Sequence, residues 1–367
     1  MVQAWRRVGA VGALLSLSLL LGCGAPGGQF PTSLPTTPPS SPSSSTLTPA
    51  TPVPTPVPTP VSLPSFQAGI NLLFYENTDY ASQLPPLMAE LHKDQINSVA
   101  LTFPFYQAGL TSTTMVAGSG TPPENQLTTI ISSLEENGFS VMLRPLLDET
   151  DLAPRWRGML QPSSVAAWFA SYAAFLAPYA TLAANLKVQV FDIGTELYSL
   201  EPYTQDWTTL ISKIKSLYTG AITYSINGNS EVPGTPYTGF WKALNFISVD
   251  AYWDLDVSND SSTSVMANSL EWFLNQINQA AAGVPVVISE VGIVPQVGQQ
   301  NQPWAGESPG PTSPIFQETY YNAVCSAVGA TGVTGIYWWE TNFGTASEFD
   351  PLGQPAEEAV QGCFTGR

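Results

Sequence analysis

"VFDIGTELYSL" (residues 190–200) reads as a buried strand through Val190, Phe191 and Ile193 that ends by presenting Glu196 directly after Gly194 and Thr195. Only 11% of the chain is charged, so a carboxylate at the end of an apolar strand calls for a reason. Parallel α/β barrels supply one, because they collect reactive side chains at the C-terminal ends of their strands. The surrounding chain fits that architecture. "FQAGINLLF", "INSVALTFPF", "FSVMLRPLL", "AITYSIN", "FISVDAYW", "VPVVISEVG" and "GIYWWETNF" are further short apolar runs rich in β-branched and aromatic residues. Between them lie helix-period segments such as "NQLTTIISSLEENG" and "DWTTLISKIKSLY", and several end in Gly, as helices tend to. Eight strand–helix units over residues 65–367 predict an α/β fold, the (β/α)8 TIM barrel. An open doubly wound sheet would need a phosphate-cradling glycine fingerprint after its first strand, and "GINLLF" is not one.

Two regions of different composition precede the barrel. Residues 1–22 carry Arg6 and Arg7, then "VGALLSLSLLL" and Gly22, which is the layout of a signal peptide. "LLGC" resembles a bacterial lipobox, which implies that Cys23 becomes the lipidated first residue of an exported lipoprotein facing the extracellular side. Residues 23–64 are a Pro/Thr/Ser-rich linker with almost nothing to build a core, expected to be a disordered, extended spacer. The expected membrane contact is through the lipid alone.

Composition narrows the chemistry. A formal charge of −17 argues against nucleic acid as a partner, and the aromatic content favours a neutral polar ligand. The single histidine, His92, falls in the first helical segment and is expected on the surface, which removes Ser-His-Asp and His-metal chemistry together. No cysteine spacing resembles a zinc site, so neither metal nor cofactor is expected. Cys325 and Cys363 suit one disulfide in an exported domain. A monomer is expected.

The strand ends hold Arg144 and Asp148, Glu196, Asn227, then Asp250, Tyr252 and Trp253, then Glu290, and finally Trp338, Trp339 and Glu340. Carboxylates, an amide, a phenol and indoles make a sugar-like set. Trp156 and Trp304 lie in loops where they could stack on outer sugars, whereas Trp168, Trp241 and Trp272 are expected in the core. Glu196 and Glu290 are 94 residues apart, or about 31 per unit over three units, a normal barrel spacing. They therefore end strands four and seven, across the mouth from each other. Two carboxyls about 5–5.5 Å apart suit glycoside hydrolysis with retention, and about 6.5–9.5 Å suits inversion.

The order of these strand ends resembles the retaining glycosidase clan built on this barrel, and more narrowly glycoside hydrolase family 113, whose characterised members are β-1,4-mannanases. The matching stretches include "RPLLDETDLAPRWRGML", "IGTELYSLE", "FWKALNFISVDAYWDL", "ISEVG" and "GIYWWE". The resemblance implies Glu196 as acid/base, Glu290 as nucleophile, Tyr252 as a hydrogen-bond donor to it, and Trp339 or Trp338 as the floor of the central sugar subsite. Strand alternation allows only one of those two to face the axis. Asn227 and Arg144 become ligand contacts or, equally, makers of structural hydrogen bonds at the barrel mouth. The chain departs from the pattern at Thr195, where the clan has Asn, and at Leu146 and Gly228, where the family has His and Trp. The expected function is retaining, endo-acting hydrolysis of β-mannan. The alternatives are another β-glycan (glucan or galactan) and a non-catalytic surface sugar-binding lipoprotein.

Overall fold

The computed structural model describes residues 62–75, 78–230, 239–306, 310–344 and 347–366. The expected signal peptide, Cys23 and nearly all of the linker lie outside the described residues. Eight parallel strands close a barrel: β1 (Gln67–Leu73), β2 (Ser98–Gln107), β3 (Ser140–Leu147), β4 (Val190–Thr195), β5 (Ala221–Asn227), β6 (Ile247–Asp250), β7 (Val286–Val291) and β8 (Gly335–Asn342). Each pairs with its neighbour in sequence, and β1 closes the ring against β8. A two-residue antiparallel strand, Met115–Val116, is added to β2 outside the ring.

Among the described residues seven α-helices surround the strands: α1 (Tyr80–Lys93), α2 (Glu124–Glu136), α3 (Val165–Leu186), α4 (Thr204–Leu217), α5 (Thr263–Ala281), α6 (Pro314–Thr331) and α7 (Ala356–Phe364). Ser164 and Ser313 cap α3 and α6 by accepting from Ala167 and Phe316 backbone N–H groups. The fifth unit departs from the expected alternation: its only helical segment among the described residues is a 3₁₀ turn, Phe240–Ala243. Cys325 of α6 and Cys363 of α7 form a disulfide with α-carbons 5.3 Å apart, joining the last two helices.

The strand interiors are buried on both faces, as helices outside and packed side chains inside require. Period-two alternation sorts the inward side chains into layers. Ala100, Met142, Val190, Val287 and Tyr337 form an apolar lower layer. Two residues further along their strands come Thr102, Arg144, Asp192 and Ser289, with Asn71 beside them, all fully or almost fully buried. Leu73, Leu146 and Trp339 lie above these in an apolar cluster with Tyr252, Val294 and Phe349. The barrel thus carries a polar layer between two apolar ones, directly beneath its mouth.

Candidate active site

Arg144 organises the polar layer. Its Nε donates to Asp192 Oδ2 (3.0 Å), Nη1 to Asn71 Oδ1 (3.0 Å) and Nη2 to both carboxylate oxygens of Asp250 (3.2 Å each). Nη1 also lies 2.6 Å from Glu290 Oε1, as a charge contact that lacks hydrogen-bond alignment. Burial disfavours the Arg144 cation, but Glu290, Asp250 and Asp192 outweigh it and raise its pKa. Burial, then the Glu290 charge, pushes the Asp250 carboxyl well above the usual range. Ser289 and Ser225 complete the network by donating to Asp250 (2.7 Å) and Asp192 (2.6 Å). Apart from Glu290 Oε1, each of these polar groups has a hydrogen-bond partner, as buried polar groups require. The side chain of Arg144 is 0% exposed, so its place is beneath Glu290 and not against a ligand.

Glu290 reaches the mouth through an irregularity in β7. Ser289 faces the barrel interior, so simple alternation would turn Glu290 outward. Against β6 the register runs Val249↔Ile288 and then Asp250↔Glu290. Against β8 it runs Ile288↔Ile336 and then Val291↔Trp338. In both comparisons β7 carries one extra residue, the device by which a bulge re-aims a side chain. Tyr252 Oη then donates to Glu290 Oε2 (3.0 Å). Burial, followed by the Glu290 charge, pushes the Tyr252 phenol well up, so it remains a donor.

Glu196 follows β4 in a left-handed backbone conformation, φ 54°, which is costly for a residue with a side chain. The turn is fastened by Tyr224: Leu197 N–H donates to its hydroxyl, which donates in turn to Glu201 Oε1 (2.9 Å each). Gly194 gives that ring room, since a Cβ there would approach it to 3.0 Å. Asn227 Nδ2 donates to Glu196 Oε1 (2.6 Å), and Arg157 Nη1 lies 3.8 Å from Oε2. Arg157 is itself held by Glu149, 3.2 Å from its Nε. Burial raises the Glu196 carboxyl to about 7, and the Glu290 anion adds to this, while Arg157 and Asn227 act in the opposite direction. Two carboxyls thus share one mouth in different environments: one is ion-paired with Arg144, the other holds a proton near neutrality.

Residues 75–350 match the sequence profile of Glycoside Hydrolase Family 113. The chain belongs to this family. It is therefore a glycoside hydrolase, as the strand-end pattern predicts. Among solved structures, a GH113 β-1,4-mannanase complex is similar at a TM-score of 0.70 and 20% identity, covering 83% of this chain and 100% of that one. The GH113 β-mannanase AaManA from Alicyclobacillus acidocaldarius follows at 0.68 and 23%, covering 82% and 97%. A fungal β-1,4-galactanase shares the fold more loosely, at 0.53 and 12%, covering 82% and 99%. At these identities the likeness to the solved structures establishes the fold. A comparison with curated proteins finds no match.

Within this GH113 barrel the other expected site residues divide by position. Trp339 faces the mouth and packs with Tyr252, Leu73 and Leu146, with Trp304 half-buried against the same cluster. Trp338 turns outward and stacks on Tyr321 of α6 at 4.2 Å, which removes it from the subsite floor. Trp253 likewise faces outward, stacked on Phe273 of α5 at 5.1 Å. Its indole also explains one departure from the family pattern: a Cβ at Gly228 would meet Trp253 Nε1 at 2.7 Å and the Asp250 carbonyl at 2.9 Å. No side chain fits there. Asp148 Oδ1 accepts from Thr150 N–H (2.8 Å), so one of its oxygens closes its own turn. Trp156 lays its ring over Gly158, next to Arg157. Trp168 and Trp241 are buried as expected, but Trp272 is 51% exposed. It lies off the α5 stripe that buries Met266, Leu270, Leu274 and Ile277. Exposed His92 stacks on Phe139. Among the described residues no group of His, Cys, Asp or Glu side chains could hold a metal ion.

Asn71, Asp192, Glu149 and Arg157 also belong to the site, though none ends a strand in the sequence pattern. A polar residue inside an apolar strand signals a buried hydrogen-bond network, and that would have found Asn71 and Asp192. Arg157 and Glu149 sit in a polar loop with no local pattern.

Proposed function

We propose that residues 65–367 are a retaining, endo-acting β-1,4-mannanase. The observation that carries this reading is the division of labour between the carboxyls: Glu196 keeps a proton near neutral pH, while Glu290 is ion-paired with Arg144 and hydrogen-bonded by Tyr252. Glu290 attacks the anomeric carbon as the glycosidic C–O bond breaks, and Glu196 gives its proton to the departing oxygen. The resulting glycosyl ester is then cleaved by a water whose proton returns to Glu196, so configuration is retained over two displacements. Trp339 offers an indole face to the sugar undergoing attack. Mannan is the preferred substrate because similar GH113 structures are mannanases. Leu146 and Gly228 vary the family pattern, which keeps another β-glycan as the second reading.

Reducing-end release should be measured on β-1,4-mannan, β-glucan and β-galactan, with the first-formed anomer followed by NMR. Mannan cleaved internally to β-configured product is expected. A first-formed α-product would overturn retention, and faster hydrolysis of glucan or galactan would overturn the substrate.

We further propose that the enzyme is a monomer tethered outside the cell by lipid on Cys23, with no nucleic-acid partner. The charge of −17 and the lipobox-like "LLGC" support this. Palmitate labelling that persists in Cys23→Ala would overturn the anchor.

A further inference from the structure

Glu340 is a third carboxyl at the mouth, and neither of the two displacement steps uses it. It follows Trp339 on β8. Its Oε2 is buried and has no hydrogen-bond partner among the described residues. No Lys or Arg among them pairs with it, whereas Ser347 hydrogen-bonds it and Glu290, Asp350 and Tyr75 are its titratable neighbours. Burial pushes its pKa to about 8, and the Glu290 and Asp350 charges add to the rise. Glu340 as a whole is part-exposed, but a buried carboxyl oxygen left unmet is costly. The side chain assigned as nucleophile is among its charged neighbours, and the raised pKa favours a neutral form that can both donate and accept.

We propose that Glu340 is a specificity-determining residue whose Oε2 binds a hydroxyl of the sugar ring attacked by Glu290. This rests on the glycosidase reading above. Within that ring a hydroxyl supplies the one partner Oε2 lacks, and an analogue without it leaves the oxygen unsatisfied. Sites built to hydrogen-bond a substrate hydroxyl discriminate strongly against its absence.

The test compares wild type, E340Q and E340A on an aryl β-mannoside and its monodeoxy analogues. Wild type should lose about 10- to 100-fold in kcat/KM on one analogue. E340A should show that loss already on the parent and be indifferent to that deoxygenation, while E340Q, which keeps a donor and an acceptor, should still discriminate. If truncation unfolds the domain, E340L replaces E340A, filling the space without a polar atom. An active E340A or E340L that discriminates every hydroxyl as wild type does would overturn the assignment alone. Absence of wild-type turnover on all β-glycans would overturn the glycosidase reading and the assignment with it.

Discussion

Replacing Arg157 with Met should move the alkaline limb of activity upward. Arg157 Nη1 stands 3.8 Å from Glu196 Oε2, with side chains 6% and 14% exposed. Two unit charges at that distance interact by about 1 kcal/mol in bulk water and about 4 kcal/mol at the effective dielectric of a protein surface. One pKa unit corresponds to about 1.4 kcal/mol, so loss of the cation should raise Glu196 by about one to three units. Glu149, left without its partner, pushes in the same direction, since its charge already raises Glu196. Glu196, at about 7 and proposed as the general acid, then stays protonated to above pH 8. The readout is the high-pH limb of kcat/KM, which reports the free enzyme, on a substrate with a poor leaving group that needs protonation. Arg157→Lys keeps the charge and should hold the limb near wild type. Glu149→Gln removes an anion and should shift the limb down. Superimposed limbs for wild type and R157M, both folded, would refute an electrostatic role for Arg157.

Tyr252→Phe removes the 3.0 Å hydrogen bond to Glu290 and should cost about 10- to 100-fold in kcat/KM, the range of a charge-assisted bond, with little change in Tm. Trp339→Ala should lose substrate affinity with modest destabilisation, whereas Trp338→Ala should cost about 3–5 kcal/mol of stability as a core truncation; denaturant titration and KM separate the two. Glu196 and Glu340 bind protons more tightly folded than unfolded, from 4.5 up to about 7 and about 8. Their contribution to stability is therefore complete below about pH 4.5 and lost as pH rises through about 7 and 8. E196Q and E340Q should accordingly raise Tm at pH 8 but not at pH 4, and equal shifts at both values would contradict the burial argument. Cys325→Ser opens a bridge between residues separated by 38 in sequence and should lower stability by at most about 4 kcal/mol, measured against the oxidised wild type.

Strand order, the barrel and the two carboxyl positions were legible because each rests on local pattern. Period-two and period-3.6 hydrophobicity set the elements, and Glu196 and Glu290 interrupt apolar runs where a barrel keeps its chemistry. Whether Arg144 contacts ligand or braces the barrel mouth is left open by the sequence for a different reason. A guanidinium at a strand end looks the same in sequence whether it faces solvent or three carboxylates, and only the closing of the barrel brings Asp192, Asp250 and Glu290 around it. Likewise, both tryptophans of "GIYWWE" are aromatic and apolar, and which one faces the mouth depends on strand register.

What the sequence by itself determined is the set of reactive groups, their order along the chain and the strand ends that carry them, since these follow from residue chemistry and periodicity. Tertiary structure alone decided their aim. Glu290 is turned into the mouth by one extra residue in β7 relative to both neighbouring strands, and Glu196 is held at φ 54° by a hydroxyl from β5. Its proton is retained through burial among groups remote in sequence, including Arg157, Asn227 and Glu290. Local pattern is blind to each of these, because register slips, left-handed turns and desolvation are settled by what packs alongside and not by the residue's own neighbours in the chain.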